Sequence, residues 1–311
     1  MAALSTASLP AATRRRSPQQ RRRSQFYWLL LTPALLLGAA LIAYPLYLVV
    51  LVAFKDVQII DVSRLGSAAF TLDNVTGLIS DPDVWSGLLK SMVYMLGSTI
   101  PALILGLLTA LLLNQKFPAR RFLRTLVLVP WSVPAVMASI AFLWILDASY
   151  GALNYILSQL GLIDAYIPWL ARGDTAMLGV ILPTIWKTYP FFTLVLLAAL
   201  QAVPEELHEA AAVDGAGTFR RFLSVTWPVI RPQAALAFVL QSVWAFREFD
   251  LIYPMTQGGP ASATETLAIR VYNEAFNLLN MGYASAIGIL TTLVGVAIVL
   301  LFYPLIRKTY F

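Results

Sequence analysis

Four long stretches of the chain contain no Asp, Glu, Lys or Arg, and this feature limits the possible folds more than any other. They cover residues 24–54, 91–115, 125–146 and 275–306. Each is longer than the ~20 apolar residues that cross the hydrocarbon core of a bilayer as a helix. Because a helix satisfies its own backbone hydrogen bonds, it can cross lipid without polar partners. We therefore predict a transmembrane helix from each stretch.

Two further predicted spans are interrupted by ionisable side chains. Residues 177–200 are apolar except for Lys187, and residues 232–254 are apolar until their last third. The ionisable residues of that last third are Arg247, Glu248 and Asp250. Hydrophobic residues make up 59% of the chain and charged residues 12%, against roughly 25% charged in soluble domains. The sequence thus predicts an all-α integral membrane protein with six transmembrane helices.

Basic residues are distributed unevenly between alternate loops, and this predicts the orientation. Fifteen lie in one set: Arg14, Arg15, Arg16, Arg21, Arg22, Arg23, Lys116, Arg120, Arg121, Arg124, Arg220, Arg221, Arg231, Arg307 and Lys308. Five lie in the other: Lys55, Arg64, Lys90, Arg172 and Arg270. Since loops rich in Lys and Arg stay in the cytoplasm, we expect both termini to be cytoplasmic. The net charge of +6 follows from this asymmetry and does not indicate nucleic-acid binding.

The chain divides into a short tail and a membrane domain. Residues 1–25 are rich in Ala, Ser, Pro and Arg, and are predicted to form a disordered cytoplasmic tail. The apolar run that follows is longer than the about 7–15 residues of a signal peptide, so the first span is expected to be retained. Residues 26–311 are predicted to form the membrane domain. The outer loops 55–86 and 147–176 have room for one short surface helix each.

One loop, residues 203–231, has the pattern of a helix, a turn and a second helix. Pro204 suits the first position of a helix, and two glutamates follow it. Gly215 lies where a left-handed cap would end that helix. Thr218 would then cap a second short helix, and Pro228 and Pro232 mark the return to the membrane.

The loop is too apolar for a hairpin surrounded by water. Its apolar residues include Leu207, Ala210, Ala211, Val213, Phe219 and Phe222. A hairpin this short cannot bury all of them within itself, so some must pack on another surface. Two interpretations are open from the residues alone: the loop binds another protein, or it lies along the membrane interface.

Residues 209–228 resemble the EAA loop of ABC-transporter permeases, whose pattern is E-A-A-x3-G-x9-I-x-L-P. The matching residues are Glu209, Ala210, Ala211, Gly215 and Pro228. Val225 replaces the Ile of the pattern and Trp227 replaces its Leu. Both replacements keep an apolar side chain.

Two other stretches are similar to sugar-uptake permeases of the maltose type. The segment 246–276 resembles their signature, and residues 130–154 resemble their third span. The signature match is carried by Gly258, Gly259, Pro260, Thr264, Thr266, Leu267, Tyr272, Ala275 and Phe276. The resemblance runs from the first span to the end of the chain. It implies the type I ABC-importer permease fold and the first-permease subunit of a maltose-type carbohydrate importer in a bacterial or archaeal plasma membrane.

The resemblance also implies partners and a role for the loop. In such permeases the loop docks into a groove on a cytoplasmic ATP-binding subunit. The residues expected to make that contact are Glu209, Ala210, Ala211, Asp214, Gly215, Phe219 and Phe222. The other implied partners are a second permease subunit, the second ATP-binding subunit and an extracytoplasmic solute-binding protein. ATP and Mg are expected on the ATP-binding subunits.

Missing motifs limit the alternatives. The chain has no G-x-x-x-x-G-K-[ST] sequence, so no phosphate-binding loop of the P-loop type is expected, and no other cofactor or metal. A membrane enzyme would need clustered His or carboxylates at one membrane face. The cytoplasmic loops offer only those of the EAA-like loop: Glu205, Glu206, His208, Glu209 and Asp214. A secondary transporter would explain six spans but not the EAA-like loop. Within the ABC-permease interpretation, a permease for glycerol phosphate or another polar solute remains an alternative to one for a sugar or polyol.

Ionisable and aromatic side chains near two spans are candidates for the transport pathway. They are Trp186, Lys187, Tyr189, Trp244, Arg247, Glu248 and Asp250. Arg247 and Asp250 are three residues apart, so a continuous helix would place them on one face. We expect Lys187 at a comparable depth, where an ion pair with a carboxylate is feasible. The charges either pair structurally or line the outer vestibule, or they hydrogen-bond sugar hydroxyls while the aromatic rings stack on the sugar.

Overall fold

The structure is a computed structural model that describes residues 18–58 and 65–310, with side chains described for 27–58 and 65–302. Its regular elements, within these ranges, are all helical, which confirms the predicted class. The α-helices are α1 Pro18–Gly38, α2 Tyr44–Ala53, α3 Asp73–Ser80, α4 Pro82–Asn114, α5 Arg120–Val127, α6 Val129–Ser132, α7 Ala135–Ile145, α8 Ala152–Gln159, α9 Gly173–Gln201, α10 Glu205–Val213, α11 Thr218–Arg221, α12 Trp227–Phe246, α13 Tyr253–Thr256, α14 Leu267–Tyr272 and α15 Met281–Tyr310. Among the described residues, π-helical turns interrupt the series at Ala39–Ala43, Phe222–Thr226 and Asn273–Asn277.

Five helices in the described part of the chain are long and apolar enough to cross a membrane. They cover Tyr27–Ala53, Pro82–Asn114, Gly173–Gln201, Thr218–Phe246 and Met281–Phe302. A sixth candidate is a broken pair, Arg120–Ser132 and Ala135–Ile145, whose two parts are bent by 94°. The number of spans agrees with the prediction if the broken pair counts as one.

The third predicted span, residues 125–146, is not one continuous helix. Its break lies at Val133 and Pro134, between α6 and α7. The residue before a proline is driven out of the helical region by a steric clash, and Val133 is accordingly extended, with φ −70° and ψ 130°. Pro134 therefore ends one helix here, although many prolines are accommodated within membrane helices.

The predicted span 232–254 is displaced along the sequence. Helix α12 ends at Phe246, so Arg247, Glu248 and Asp250 lie beyond the span. The expectation that Arg247 and Asp250 share one helix face is therefore wrong. The chain turns after Phe246, and Arg247 is the C-terminal cap residue of α12.

The chain forms two compact units, residues 1–51 and 52–311. In the first unit, α1 begins at Pro18, inside the segment predicted to be a tail. Residues 1–17, where the rest of the predicted tail lies, are outside the described residues. The described side chains of α1 and the start of α2 are almost all exposed. Apolar side chains with this exposure are expected on a helix that faces lipid or another subunit.

In the second unit, α4 and α9 form the largest helix–helix contact. Gly106 on α4 allows the two backbones to approach closely, because a Cβ there would lie 2.9 Å from the carbonyl oxygen of Tyr189. Helices α12 and α15 complete the bundle. Two buried clusters follow the length of α4 and α9, one around Tyr94 and Phe246 and the other around Phe192 and Leu196.

The loops of the second unit gather at two ends. We call the end formed by residues 114–124 and 201–226 the basic end; these segments line a common cavity. The opposite end contains residues 81–83 and 247–283, which are joined by an ion pair. The short surface helices expected in the two outer loops are present as α3 and α8.

Candidate functional site

The loop at the basic end folds as the predicted helix, turn and helix. Helix α10 ends in a turn at Gly215, whose φ is +75°. The N–H of Ala216 donates to the carbonyl of Ala211 at 2.9 Å, and the N–H of Gly215 donates to the carbonyl of Ala212 at 3.0 Å. This pair of bonds is the Schellman cap, which needs a residue of positive φ. The left-handed cap predicted at Gly215 is therefore present.

The two helix starts in this loop differ from the prediction by one residue each. Pro204 is the cap residue before α10, and the helix begins at Glu205. Gly217 is the cap residue of α11, and Thr218 is its first helical residue. Neither helix has a side-chain cap bond, so backbone geometry sets both starts.

The loop presents its apolar and acidic side chains outward. No residue of α10 or α11 is buried. Val213 is 89% exposed and Phe219 is 75% exposed. Glu209, Ala210 and Asp214 are exposed, and Ala211 is partly exposed. Phe222 is also only partly exposed, and its ring meets Trp227 at a centroid distance of 6.3 Å. The loop thus exposes an unpartnered surface of Glu209, Ala210, Val213 and Phe219.

The ammonium of Lys187 contacts the break between α6 and α7. It donates to the carbonyl oxygen of Trp131 at 3.3 Å and to that of Val133. These carbonyls have lost their helical partners at the break, and polar groups freed within a membrane need new donors. Lys187 has no ion pair with Glu248 or Asp250, so the pairing considered from the sequence is not formed.

The aromatic pathway candidates pack against other rings to different extents. Trp186 meets Phe142 at a centroid distance of 5.6 Å, and Tyr189 packs against the buried cluster of Phe192. Trp244 meets Phe191 edge-on at 5.6 Å, yet it remains 50% exposed. Trp244 is thus the ring with the largest free surface among the three.

The three ionisable candidates after α12 also differ. Glu248 is partly buried and accepts a hydrogen bond from the N–H of Leu251 at 3.0 Å, which holds the turn after the helix. Arg247 and Asp250 are exposed. Of this group, Arg247 and Asp250 have side chains free to contact a solute.

A cluster of charges at the opposite end was not predicted from the sequence. Arg270 on α14 is surrounded by four carboxylates: Asp81 at 2.8 Å, Glu274 at 3.6 Å, Asp83 at 3.7 Å and Glu265 at 3.9 Å. The hydroxyl of Tyr283 on α15 donates to the same Asp81 oxygen at 2.6 Å. The cluster therefore joins the beginnings of α4 and α15 to α14. The one signal in the sequence was Arg270 itself, the single basic residue between Asp250 and Tyr283.

The ionisation of this cluster reflects its partial burial. Burial opposes ionisation of Asp81, but hydrogen bonds from Tyr283 and from the N–H of Asp83, together with Arg270, hold its pKa below the ordinary value. Burial raises the pKa of Glu274, and the attraction of Arg270 offsets only part of that effect. Arg270 keeps a raised pKa because its four carboxylates outweigh its burial. The strongest pair of the cluster is thus Arg270 with Asp81.

The signature residues of segment 246–276 fold it onto α4. The hydroxyl of Thr264 donates to the carbonyl of Gly259 at 2.9 Å and lies 2.7 Å from the hydroxyl of Thr256. The N–H of Leu267, a fully buried residue, donates to the hydroxyl of Ser91 on α4 at 2.9 Å. Ser91 and Leu267 are far apart in the sequence, so this bond fixes the segment in the bundle.

Four aromatic rings contact one another in series in the same segment. Phe249 lies 4.9 Å from Tyr253, Tyr253 lies 4.6 Å from Tyr272, and Tyr272 lies 5.0 Å from Phe276, measured between ring centroids. Such contacts add to the burial of the rings. They give the opposite end a fixed shape between α12 and α15.

These features are those of a multi-pass membrane protein. The described chain is an apolar helical bundle with a broken span and an exposed helix-turn-helix loop, and side chains fix its opposite end. The family described as binding-protein-dependent transport system inner membrane component matches residues 102–310. The chain belongs to this family. The family is one of transport components and not of enzymes.

Relatives of known name support the assignment. The trehalose/maltose transport system permease protein MalF of Thermococcus litoralis is 39% identical over 71% of this chain and 74% of its own length. The sulfoquinovosyl glycerol transport system permease protein SmoG of Agrobacterium fabrum is 33% identical over 88% of each chain. A bacterial alginate ABC transporter, solved in complex with an alginate pentasaccharide-bound periplasmic protein, has the same fold, with a TM-score of 0.77 at 21% identity over 94% of this chain and 98% of that one.

Proposed function

We propose that the chain is a transmembrane permease subunit of an ATP-driven importer that takes up a sugar or a related polyol delivered by a binding protein. The observation that carries this proposal is the exposed loop at the basic end. Its EAA-like sequence folds into two helices with outward apolar side chains, as an interface for a second protein requires. The permease domain then begins at about residue 26, and the loop 203–231 is its coupling element. The carbohydrate class is supported by the transport systems to which the relatives MalF and SmoG belong.

The proposed partner of the loop is an ATP-binding subunit, which would hold ATP and Mg. Glu209 is exposed and has no ion pair among the described residues, so its carboxylate is free to meet a basic residue of that subunit. We expect Glu209→Lys to leave insertion of the chain unchanged, to reduce copurification of the ATP-binding subunit and to abolish uptake. The control is Glu206→Lys, on the same helix and also exposed. Wild-type copurification and uptake in Glu209→Lys would refute this role.

The proposed orientation places the basic end in the cytoplasm. The loops on that side of the membrane contain fifteen basic residues, and the loops on the other side contain five. This difference supports the orientation. The sequence contains no Cys, so single cysteines can be labelled in this chain without background. Ser224→Cys should react only from the cytoplasm, and Ser262→Cys only from outside; both positions are exposed. The reverse pattern would refute the orientation and with it the coupling role.

For the solute pathway we propose Trp244, Arg247 and Asp250 as contact residues. They combine an exposed aromatic face with exposed polar groups, which is the chemistry that sugar rings and hydroxyls bind. Lys187 and Glu248 have a positioning role in this proposal, because their polar atoms bind backbone groups of the break and of the turn after α12. Trp186 and Tyr189 support them through packing.

The two roles can be separated by measuring the concentration dependence of uptake. Trp244→Ala and Asp250→Asn should raise the half-saturating solute concentration while assembly with the partners stays normal. Lys187→Gln should instead lower the amount of assembled complex and leave that concentration unchanged. An unchanged concentration dependence in both Trp244→Ala and Asp250→Asn would remove these residues from the pathway without affecting the proposed coupling role.

A further inference from the structure

The basic end contains a polar cavity whose basic side chains are not among the residues expected to contact an ATP-binding subunit. It has a volume of about 690 Å³ and lies between the end of α4, the start of α5 and the beginning of the coupling loop. An adjoining cavity of about 360 Å³ shares Asn114, Gln115 and His208 with it and extends to Arg221. Together they have the size of a small-molecule site. Their walls carry several hydrogen-bond donors, unlike the nearly apolar groove between α4, α12 and α15.

The charges around these cavities are predominantly positive. Lys116, Arg120 and Arg124 line the larger cavity and Arg221 lines the smaller one. The one carboxylate in the two linings is that of Glu205, at the start of α10. None of the four cationic side chains has an ion pair within the described residues. The two cavities therefore concentrate positive charge that the chain itself does not neutralise.

Two of the guanidinium groups also carry buried donors without an acceptor. The Nε atoms of Arg124 and Arg221 are buried and have no hydrogen-bond partner. Arg124 donates through Nη2 to the carbonyl of Leu113 at 3.1 Å, so its position is fixed while its Nε remains unsatisfied. The backbone bond therefore fixes the Arg124 guanidinium at the wall of the larger cavity.

We propose that this pair of cavities binds a soluble phosphate-bearing anion, held by Lys116, Arg120, Arg124 and Arg221. Planar guanidinium groups bind phosphate oxygens in pairs, and a lysine adds a point charge. Asn114 and Gln115 supply neutral polar groups that would bind the rest of such a molecule. The site lies on this chain alone and does not depend on the direction of transport.

The geometry of α5 favours a solute over a lipid headgroup. Arg120 and Arg124 are four residues apart and face the cavity, whereas Phe122 and Leu126, 69% and 51% exposed, project from the other side of the helix. With 3.6 residues per turn, the two pairs lie about half a turn apart. A lipid with its phosphate in the cavity would have to pass its chains around α5 to reach those apolar side chains.

The test measures occupancy directly in the assembled transporter. Gln201→Cys places a thiol in the cavity wall of a chain that otherwise lacks Cys. Its alkylation by a neutral reagent is followed in phosphatidylcholine nanodiscs at about 0.15 M salt, where exposed charges are screened beyond ~8 Å. Pyrophosphate is the probe, and Ser224→Cys, exposed and outside both cavities, is the reference thiol. We expect pyrophosphate to protect Gln201→Cys and not Ser224→Cys.

Charge variants on the same helix distinguish a site from general attraction. Lys116→Gln and Arg120→Gln should each raise the pyrophosphate concentration for half protection by roughly tenfold, the effect of losing a charge-assisted hydrogen bond. Arg121→Gln removes the same charge from α5 at an exposed position outside the cavity, and protection should be unchanged. Equal losses in Arg120→Gln and Arg121→Gln, or no protection at millimolar pyrophosphate, would overturn the proposal. Protection that requires phosphatidylglycerol in the nanodisc and not pyrophosphate would assign the cavity to a lipid headgroup and overturn it as well.

Discussion

The loop at the basic end and the segment at the opposite end both connect membrane-spanning helices, yet they are held in different ways. The coupling loop is fixed by backbone hydrogen bonds within about six residues, such as Ala216 to Ala211. The segment 247–280 is fixed by bonds to distant helices that involve side chains: the Ser91 hydroxyl accepts from the backbone N–H of Leu267, and the Arg270 guanidinium pairs with Asp81. The first leaves Val213 and Phe219 exposed, and the second buries Ile252, Leu267 and Ile269. A locally folded loop can move as a unit on another protein, whereas the opposite end is part of the core.

The largest effect is expected where the opposite end depends on Arg270. Arg270→Met leaves Asp81, Glu265 and Glu274 partly buried without their cation, and we expect a loss of about 3 kcal/mol in the free energy of unfolding. Thermal unfolding in detergent would measure it. The control is Arg172→Met, whose pair with Asp174 has side chains 56% and 60% exposed, and which should unfold at the wild-type temperature. Equal behaviour of the two variants would mean that the Arg270 cluster does not hold the opposite end.

A second comparison uses one apolar residue from each region. Phe219→Ala removes an exposed ring from the coupling loop, so the unfolding temperature should not change. Binding of the ATP-binding subunit should weaken by about 2 kcal/mol if the ring is a central contact. Ile269→Ala, at a residue with 0% exposure, should have the reverse effect. It should lower the free energy of unfolding by about 3 kcal/mol, while the folded protein binds the ATP-binding subunit normally. The contrast fails if Phe219→Ala destabilises the chain or binds the subunit as tightly as the wild type.

The turn of the coupling loop provides a smaller effect. Gly215→Ser places a Cβ at φ +75°, which costs about 1–2 kcal/mol although the space around it is empty. We expect a distorted turn, weaker copurification of the ATP-binding subunit and a several-fold lower rate of uptake. Gly217→Ser makes the same chemical change two residues later at φ −65° and should retain wild-type uptake. A Gly215→Ser variant with normal uptake would show that the cap is not needed for coupling.

The smallest effect concerns a single hydroxyl at the opposite end. Thr264→Val removes the donor to the carbonyl of Gly259 in a residue with 0% exposure, at a cost of about 1 kcal/mol. Thr76→Val removes a similar bond to the carbonyl of Leu72 on the exposed face of α3, where water can replace it. Chemical denaturation should separate the two. If Thr76→Val is the more destabilising, burial does not govern the stability of this end.

The sequence was informative where local chemistry decides the structure. Charge-free runs located the spans, and Gly215 located the turn, because both depend on a few consecutive residues. The same reasoning placed the third span as one helix and extended the fifth to residue 254. It did not foresee the break at Val133, which is stabilised by Lys187 from another helix, nor the end of α12 at Phe246. The Arg270 cluster was missed for the same reason: its carboxylates come from three parts of the chain, and no local pattern joins Asp81 to Glu274.

The bend between α6 and α7 has a consequence for the surrounding lipid. Helices bent by 94° cannot both run along the membrane normal. The 11 residues of α7 span about 16 Å at 1.5 Å per residue, roughly half of the ~30 Å hydrocarbon core. Helix α7 alone is therefore too short to cross the hydrocarbon core, so other segments of the protein must fill the remaining depth or the bilayer beside it must be thinner. A thinner bilayer beside α7 would be a hydrophobic mismatch, whose cost depends on the thickness of the surrounding membrane.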